Sequence, residues 1–162
     1  MEILNIKISR FTDIISGVKL YENDDLLIII QNPVDYVLDG VCFINKKYIQ
    51  NMKLDEDHMM KKILEHKISK YNINNYYRNF KNIKDTIDYF KDNQSKLIEL
   101  TLDSPTYSII GKIQNVNIKS FKLNMLSVKA QYLNEEKFEY DKIRILTIDS
   151  DYLNSLEYFM SL

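Results

Sequence analysis

Asp55, Glu56 and Asp57 stand directly before His58, and carboxylate oxygens beside an imidazole nitrogen are common ligands for a metal ion. The same four residues also suit the start of a helix. A carboxylate at the cap accepts orphan backbone N–H bonds, and another in the first turn favours the helix dipole. The apolar stripe Met59, Met60, Ile63 and Leu64 follows at once. The helix reading is therefore preferred, with Asp55 as the expected cap and no metal site. His66 falls near the end of that helix, where a protonated imidazole complements the dipole. Cys42 is the single thiol, in a β-rich run where a free cysteine behaves as a small buried hydrophobe. Alone it forms neither an internal disulfide nor a Cys-based metal cluster. The sequence contains no Gly-x-Ser-x-Gly elbow and no Gly-rich phosphate loop. The expectation is a non-catalytic protein without cofactor.

Two further groups of side chains could recognise a partner. In the stretch NPVDYVLDGVCFINKKYI, residues 32–49, Asp35, Tyr36 and Asp39 are followed by Lys46, Lys47 and Tyr48. Asp39 and Gly40 make a good turn pair, since glycine accepts positive φ at no steric cost. These six residues are the first candidates for contact with a protein partner. Between Lys61 and Lys84 seven cations face one carboxylate, Glu65, a net of +6; with −1 for the whole chain, the rest carries −7. There Lys70, Tyr71, Tyr76, Tyr77, Arg78 and Lys81 interleave cations with aromatics. Such a pattern suits single-stranded nucleic acid, through base stacking and phosphate neutralisation. The preferred reading is a solvated face whose aromatics pack the connector onto the rest of the chain, since charge runs are usually solvated faces.

The elements that must hold these residues are short. With 162 residues, 45% apolar and 28% charged, the chain has the composition of a soluble globular protein. A net charge of −1 argues against a surface that is polyanion-binding throughout. Abundant Ile, Lys, Asn and Tyr suggest an AT-rich genome, so the number of lysines or asparagines carries little weight. The start MEILNIKISR is unlike a secretory signal, and no apolar run approaches the ~20 residues of a membrane span. A cytoplasmic protein is expected.

An internal repeat organises the chain. Residues 1–68 lie over 95–162 without a gap: Thr12 meets Thr106, Gly17 meets Gly111, and Ile49 meets Ile143. Apolar positions agree more widely, as Ile3, Ile6 and Ile8 match Leu97, Leu100 and Leu102. Each copy reads as about five short strands closed by a helix, with a glycine inside the second strand that marks a bend or bulge. Asp149 repeats the cap position of Asp55, while Tyr152 replaces His58, which also favours the cap over a metal site. Residues 69–94 form a connector whose spacing at Ile83, Ile87 and Phe90 predicts a helix, capped by Asn82 or Asp85. Its first half, with Asn72, Asn74 and Asn75, reads as loop.

Five strands plus one helix, twice over, resembles a tandem of SH3-like or Sm-like small barrels at the level of element order. In Sm proteins the helix precedes the strands, whereas here it follows them, and no Arg-Gly motif comes after the fourth strand. The resemblance therefore implies a fold and transfers no binding residues. The expected fold class is α+β and mostly β: barrel-like repeats at 1–68 and 95–162 joined by a partly helical connector. In being small, acidic and non-catalytic, the chain is similar to bacterial immunity proteins and phage-encoded inhibitors. The leading expectation is occupation of a protein partner's surface. Binding of RNA or single-stranded DNA through 61–84, or of a small ligand in the seam between the repeats, are the alternatives.

Overall fold

The computed structural model describes residues 1–73, 75–92 and 96–162. Asn74 in the expected loop and the connector's end at residue 94 lie outside the described residues. Ten strands form one antiparallel sheet: β1 Ile3–Ile8, β2 Ile15–Glu22, β3 Leu26–Gln31, β4 Val41–Asn45, β5 Ile49–Leu54, β6 Ile98–Thr101, β7 Ser108–Val116, β8 Ser120–Leu126, β9 Tyr132–Glu139 and β10 Ile145–Ile148. Among the described residues three α-helices complete the fold: α1 His58–Ile68, α2 Ile83–Lys91 and α3 Asp151–Met160. The protein is thus mostly β. Among the described residues no helix is long and apolar enough to cross a membrane.

Strand order across the sheet is β5-β1-β2-β3-β4-β10-β6-β7-β8-β9. The central strands are apolar on both sides, because both of their faces are covered. Leu26 and Ile28 of β3, Phe43 of β4 and Leu146 and Ile148 of β10 enter one core. Leu27, Ile29, Cys42, Ile44 and Ile145 enter the core on the other face. Continuous apolar runs such as LLIII follow from this double burial, which leaves no face for polar alternation. The edges read oppositely: β9 is exposed at seven of eight positions, and its Glu135, Glu136, Lys137 and Glu139 discourage pairing with another chain.

Local features recur at the offset of 94. The first five strands are ordered β5-β1-β2-β3-β4 and the last five β10-β6-β7-β8-β9, the same order advanced by five. A pairing shift falls between Lys19 and Tyr21, and again between Ile113 and Asn115. A Cβ on Gly17 would lie 2.5 Å from the Ile30 carbonyl oxygen, and one on Gly111 2.3 Å from that of Asn124. Only glycine allows so close an approach between neighbouring strands. The 3₁₀ turns Lys46–Tyr48 and Tyr140–Lys142 also share the offset.

The expected connector supplies the middle of the largest core. Asn82 caps α2 by accepting the Asp85 N–H at 3.1 Å. Ile83, Thr86, Ile87 and Phe90 are buried on one side of the helix. They join a cluster that includes Leu26, Ile28 and Phe43 from before them and Leu100, Phe121 and Leu146 from after. Tyr77 and Phe80 belong to the same cluster, with ring centroids 5.3 and 6.1 Å from Phe43.

The other two helix caps differ from the expectation. Asp57, two residues later than Asp55, accepts the Met60 N–H at 2.9 Å and caps α1. Asp55 instead still belongs to the sheet edge, donating its N–H to Ile3 and accepting from Asn5 Nδ2 at 3.3 Å. Ser150 caps α3. Asp149, at φ 57°, turns the chain just before it and binds Lys96 through its carboxylate. In both cases a carboxylate that could cap is drawn into a tertiary contact one or two residues early.

Candidate functional site

The pairing of β4 with β10 joins the two halves of the chain, with Ile44 opposite Ile145 and Val41 opposite Ile148. Cys42, Phe43 and Ile44 of β4 and Ile145 to Ile148 of β10 favour this contact by burying their side chains on both faces. It sets the two 3₁₀ turns beside each other. Lys47 Nζ lies 3.4 Å from Asp141 Oδ1, and the Tyr48 hydroxyl donates to the Asp141 carbonyl. Both turns thereby become walls of recesses along the seam.

The larger recess has a volume of about 540 Å³. Asp25, Asn45 and Lys47 come to it from the first half, Asn82 and Lys84 from α2 and its cap, and Lys119, Glu139, Tyr140 and Asp141 from the second. Its charges are mixed. Lys84 pairs with Asp88 at 2.7 Å and sits 5.8 Å from the Tyr140 ring centroid. Tyr140 donates to the Asn117 carbonyl at 2.8 Å. Burial pushes its phenol up to about 12, with Asp88 adding to the rise and the Asn117 bond opposing it. Tyr140 is therefore a neutral hydrogen-bonding wall at ordinary pH.

A second recess, of about 460 Å³, is lined by Arg10, Tyr48, Leu102, Asp103, Lys142 and Arg144. Arg144 is 7% exposed. Its Nε donates to the Ser9 carbonyl at 3.2 Å and to Ser9 Oγ at 3.3 Å, and its guanidinium lies 4.2 Å from the Tyr48 ring centroid. A guanidinium over an aromatic face gains cation–π attraction that increases as water is removed. Arg10 reaches Asp103 at 3.5 Å with both side chains largely exposed, so that pair adds little to stability.

The six first-choice contact residues do not share one surface. Asp35 is exposed at φ 44°, its carbonyl accepting from Asn32 at 2.8 Å. Tyr36 is half-buried against the cluster of Ile3, Val18 and Leu64, and its carbonyl accepts from Lys67. Asp39 accepts the N–H of Asp151 at 2.7 Å and so stabilises the first turn of α3. Lys46 is held by Glu22 at 3.1 Å and by the Asn23 carbonyl at 2.8 Å. Lys47 and Tyr48 reach the seam. β4 runs between the two groups, which explains their separation.

The basic segment is likewise divided. Tyr77 is 8% exposed and burial pushes its phenol up, so it packs inward. Tyr71 is exposed and donates to the Leu38 carbonyl at 3.2 Å, while Tyr76 lies 5.3 Å from Tyr89. Lys70, Arg78 and Lys81 are exposed. Cys42 is fully covered, with Thr147 Oγ1 at 3.4 Å, and burial pushes its thiol up to about 12. A thiol so rarely ionised makes a poor nucleophile.

Sequence reasoning passed over Arg10, Lys142 and Arg144. The available signal was an arginine in KIRILTI, a cation at the head of an otherwise apolar strand. No protein-family model, curated protein or solved structure matches the chain.

Proposed function

We propose that the chain is a non-catalytic binding protein built from two copies of one SH3-like or Sm-like barrel unit, and that it takes its ligand where the copies meet. The gapless offset, the repeated strand order and the two glycines at matching close approaches support duplication. The observation that carries the binding reading is the pair of recesses along the β4–β10 seam, each lined from both halves. Their volumes fall in the range of small-molecule sites, and seams between units are frequent places for them. Charged and polar side chains around the walls would fix a ligand's orientation. The test is a hydrogen-exchange footprint of the chain with the ligand fraction recovered from its native host. Protection should centre on 45–48, 82–84 and 139–144; protection confined to α1 and the outer sheet edges would refute the seam.

A protein partner, of the immunity or inhibitor kind, is the second reading. It is favoured by the outward side of α3, where Tyr158 and Phe159 are 68% and 60% exposed. Exposed aromatic and aliphatic groups gathered on one element mark interaction surfaces. Capture of a host protein that is lost on Phe159→Glu, with folding unchanged, would support this reading; equal capture by the variant would remove its basis. The nucleic-acid reading draws less support, because Tyr77 stands in the core and is unavailable for stacking.

A further inference from the structure

We propose that the recess around Arg144 binds the oxyanion of a small ligand, a carboxylate or a phosphate, on the fork of the Arg144 guanidinium. This deepens the seam reading above and rests on it. A guanidinium stays charged at any ordinary pH, and a buried charge is normally balanced by a counter-charge. Arg144 is 7% exposed, yet among the described residues no carboxylate pairs with it. Its contacts with protein are the two Nε bonds to Ser9 and the ring of Tyr48. The two terminal amino groups have no acceptor among the described residues. No described side-chain nitrogen or oxygen is at once buried and without a partner, so both amino groups keep some exposure to solvent, and the recess is lined by Arg144.

The surroundings fit an anion. Arg10 and Lys142 bring two more cations to the recess, against the single carboxylate of Asp103, which Arg10 already contacts at 3.5 Å. Serine on one side and tyrosine on another hold the guanidinium, leaving its two-pronged edge for a ligand. That edge matches two oxygens of a carboxylate or phosphate through parallel N–H···O bonds. Arg10 also adopts φ 68°, an uncommon conformation for a side-chain-bearing residue, of the kind found at ligand clamps. Leu102 contributes an apolar patch to the wall, so the ligand would be an organic anion or phosphate ester in preference to a bare ion.

The experiment is an NMR titration of the full chain at low ionic strength with inorganic phosphate and, separately, with citrate. Sodium chloride at matched ionic strength is the control. Saturable shifts of the amides of Ser9, Arg10, Tyr48 and Lys142 are expected with at least one probe, and the tighter probe identifies the phosphate or the carboxylate source. Lys142→Gln, an exposed change, should weaken binding several-fold, and Arg144→Lys, which keeps charge but loses the fork, by about tenfold or more. If neither anion shifts these amides beyond chloride, or Lys142→Gln and Arg10→Gln both bind like the parent chain, the proposal is wrong. The host-derived footprint then separates the two failures. Protection of 45–48 and 139–144 without anion binding leaves the seam standing and removes the oxyanion, whereas no protection there removes both.

Discussion

Truncating Ile87 to alanine tests whether the segment between the halves is a tether or the centre of the core. Ile87 is fully buried on α2, in a cluster with residues from both halves. The substitution deletes three carbons, worth about 2.4 kcal/mol at ~0.8 kcal/mol per methylene. A residual cavity of roughly 50 Å³ adds about 1 kcal/mol at ~24 cal/mol per Å³. The expected loss is therefore about 3 to 4 kcal/mol, or on the order of 10 °C in Tm for a chain of this length. Urea titrations followed by tyrosine fluorescence and by far-ultraviolet circular dichroism supply the measurement. Both signals should move together to a lower midpoint with an unchanged slope, because one cluster spans both halves. Ile118→Ala is the control: Ile118 is 85% exposed, and its loss should cost less than about 0.5 kcal/mol. An Ile87→Ala effect below about 1 kcal/mol, or two separated transitions, would refute the shared core.

Other outcomes follow from the same geometry. Gly17→Ala and Gly111→Ala each force a Cβ against a neighbouring carbonyl and should each cost about 2 to 3 kcal/mol in urea titrations; a large effect at one site and none at the other would count against the proposed duplication. Asp39→Ala removes the acceptor for the Asp151 N–H and should cost about 1 kcal/mol, while Asp39→Asn retains most of it. Stability should fall above pH 9. Cys42 moves from an ordinary 9.0 up to about 12 on folding, so the unfolded chain releases a proton that the folded one keeps. The contribution is complete below 9 and is lost as pH climbs toward 12, amounting to about 2 kcal/mol near pH 10.5. Tyr140, pushed from 10.0 up to about 12, adds in the same direction. Cys42→Ala should flatten this alkaline decline in a series of urea titrations, and an unchanged slope would contradict the assignment to the thiol.

Much of the local structure is legible in the sequence. The spacing of Ile83, Ile87 and Phe90 marks α2, and Asn82 is among the residues expected to cap it. The run LLIII gives a strand whose residues are buried on both faces. Such signals are readable because backbone geometry sets a period of 3.6 or 2 that side chains must follow. Cap positions are less secure. Asp55 and Asp57 are chemically alike, and the choice between them depends on Ile3 and Asn5, fifty residues away along the chain.

The candidate site belongs to the second category altogether. Arg144 and Ser9 are separated by 135 positions, and nothing local distinguishes an arginine heading a strand from an exposed one. Its burial follows from β4 pairing with β10, a choice between sheet edges made by long-range burial. The same pairing divides the six residues of the 32–49 stretch, sending Asp39 to the first turn of α3 and Lys47 and Tyr48 to the seam. The sequence by itself determined most of the strands and helices, since each depends on neighbours in the chain. Tertiary structure alone decided that Arg144 is buried and which side chains surround it, because that depends on which edges meet.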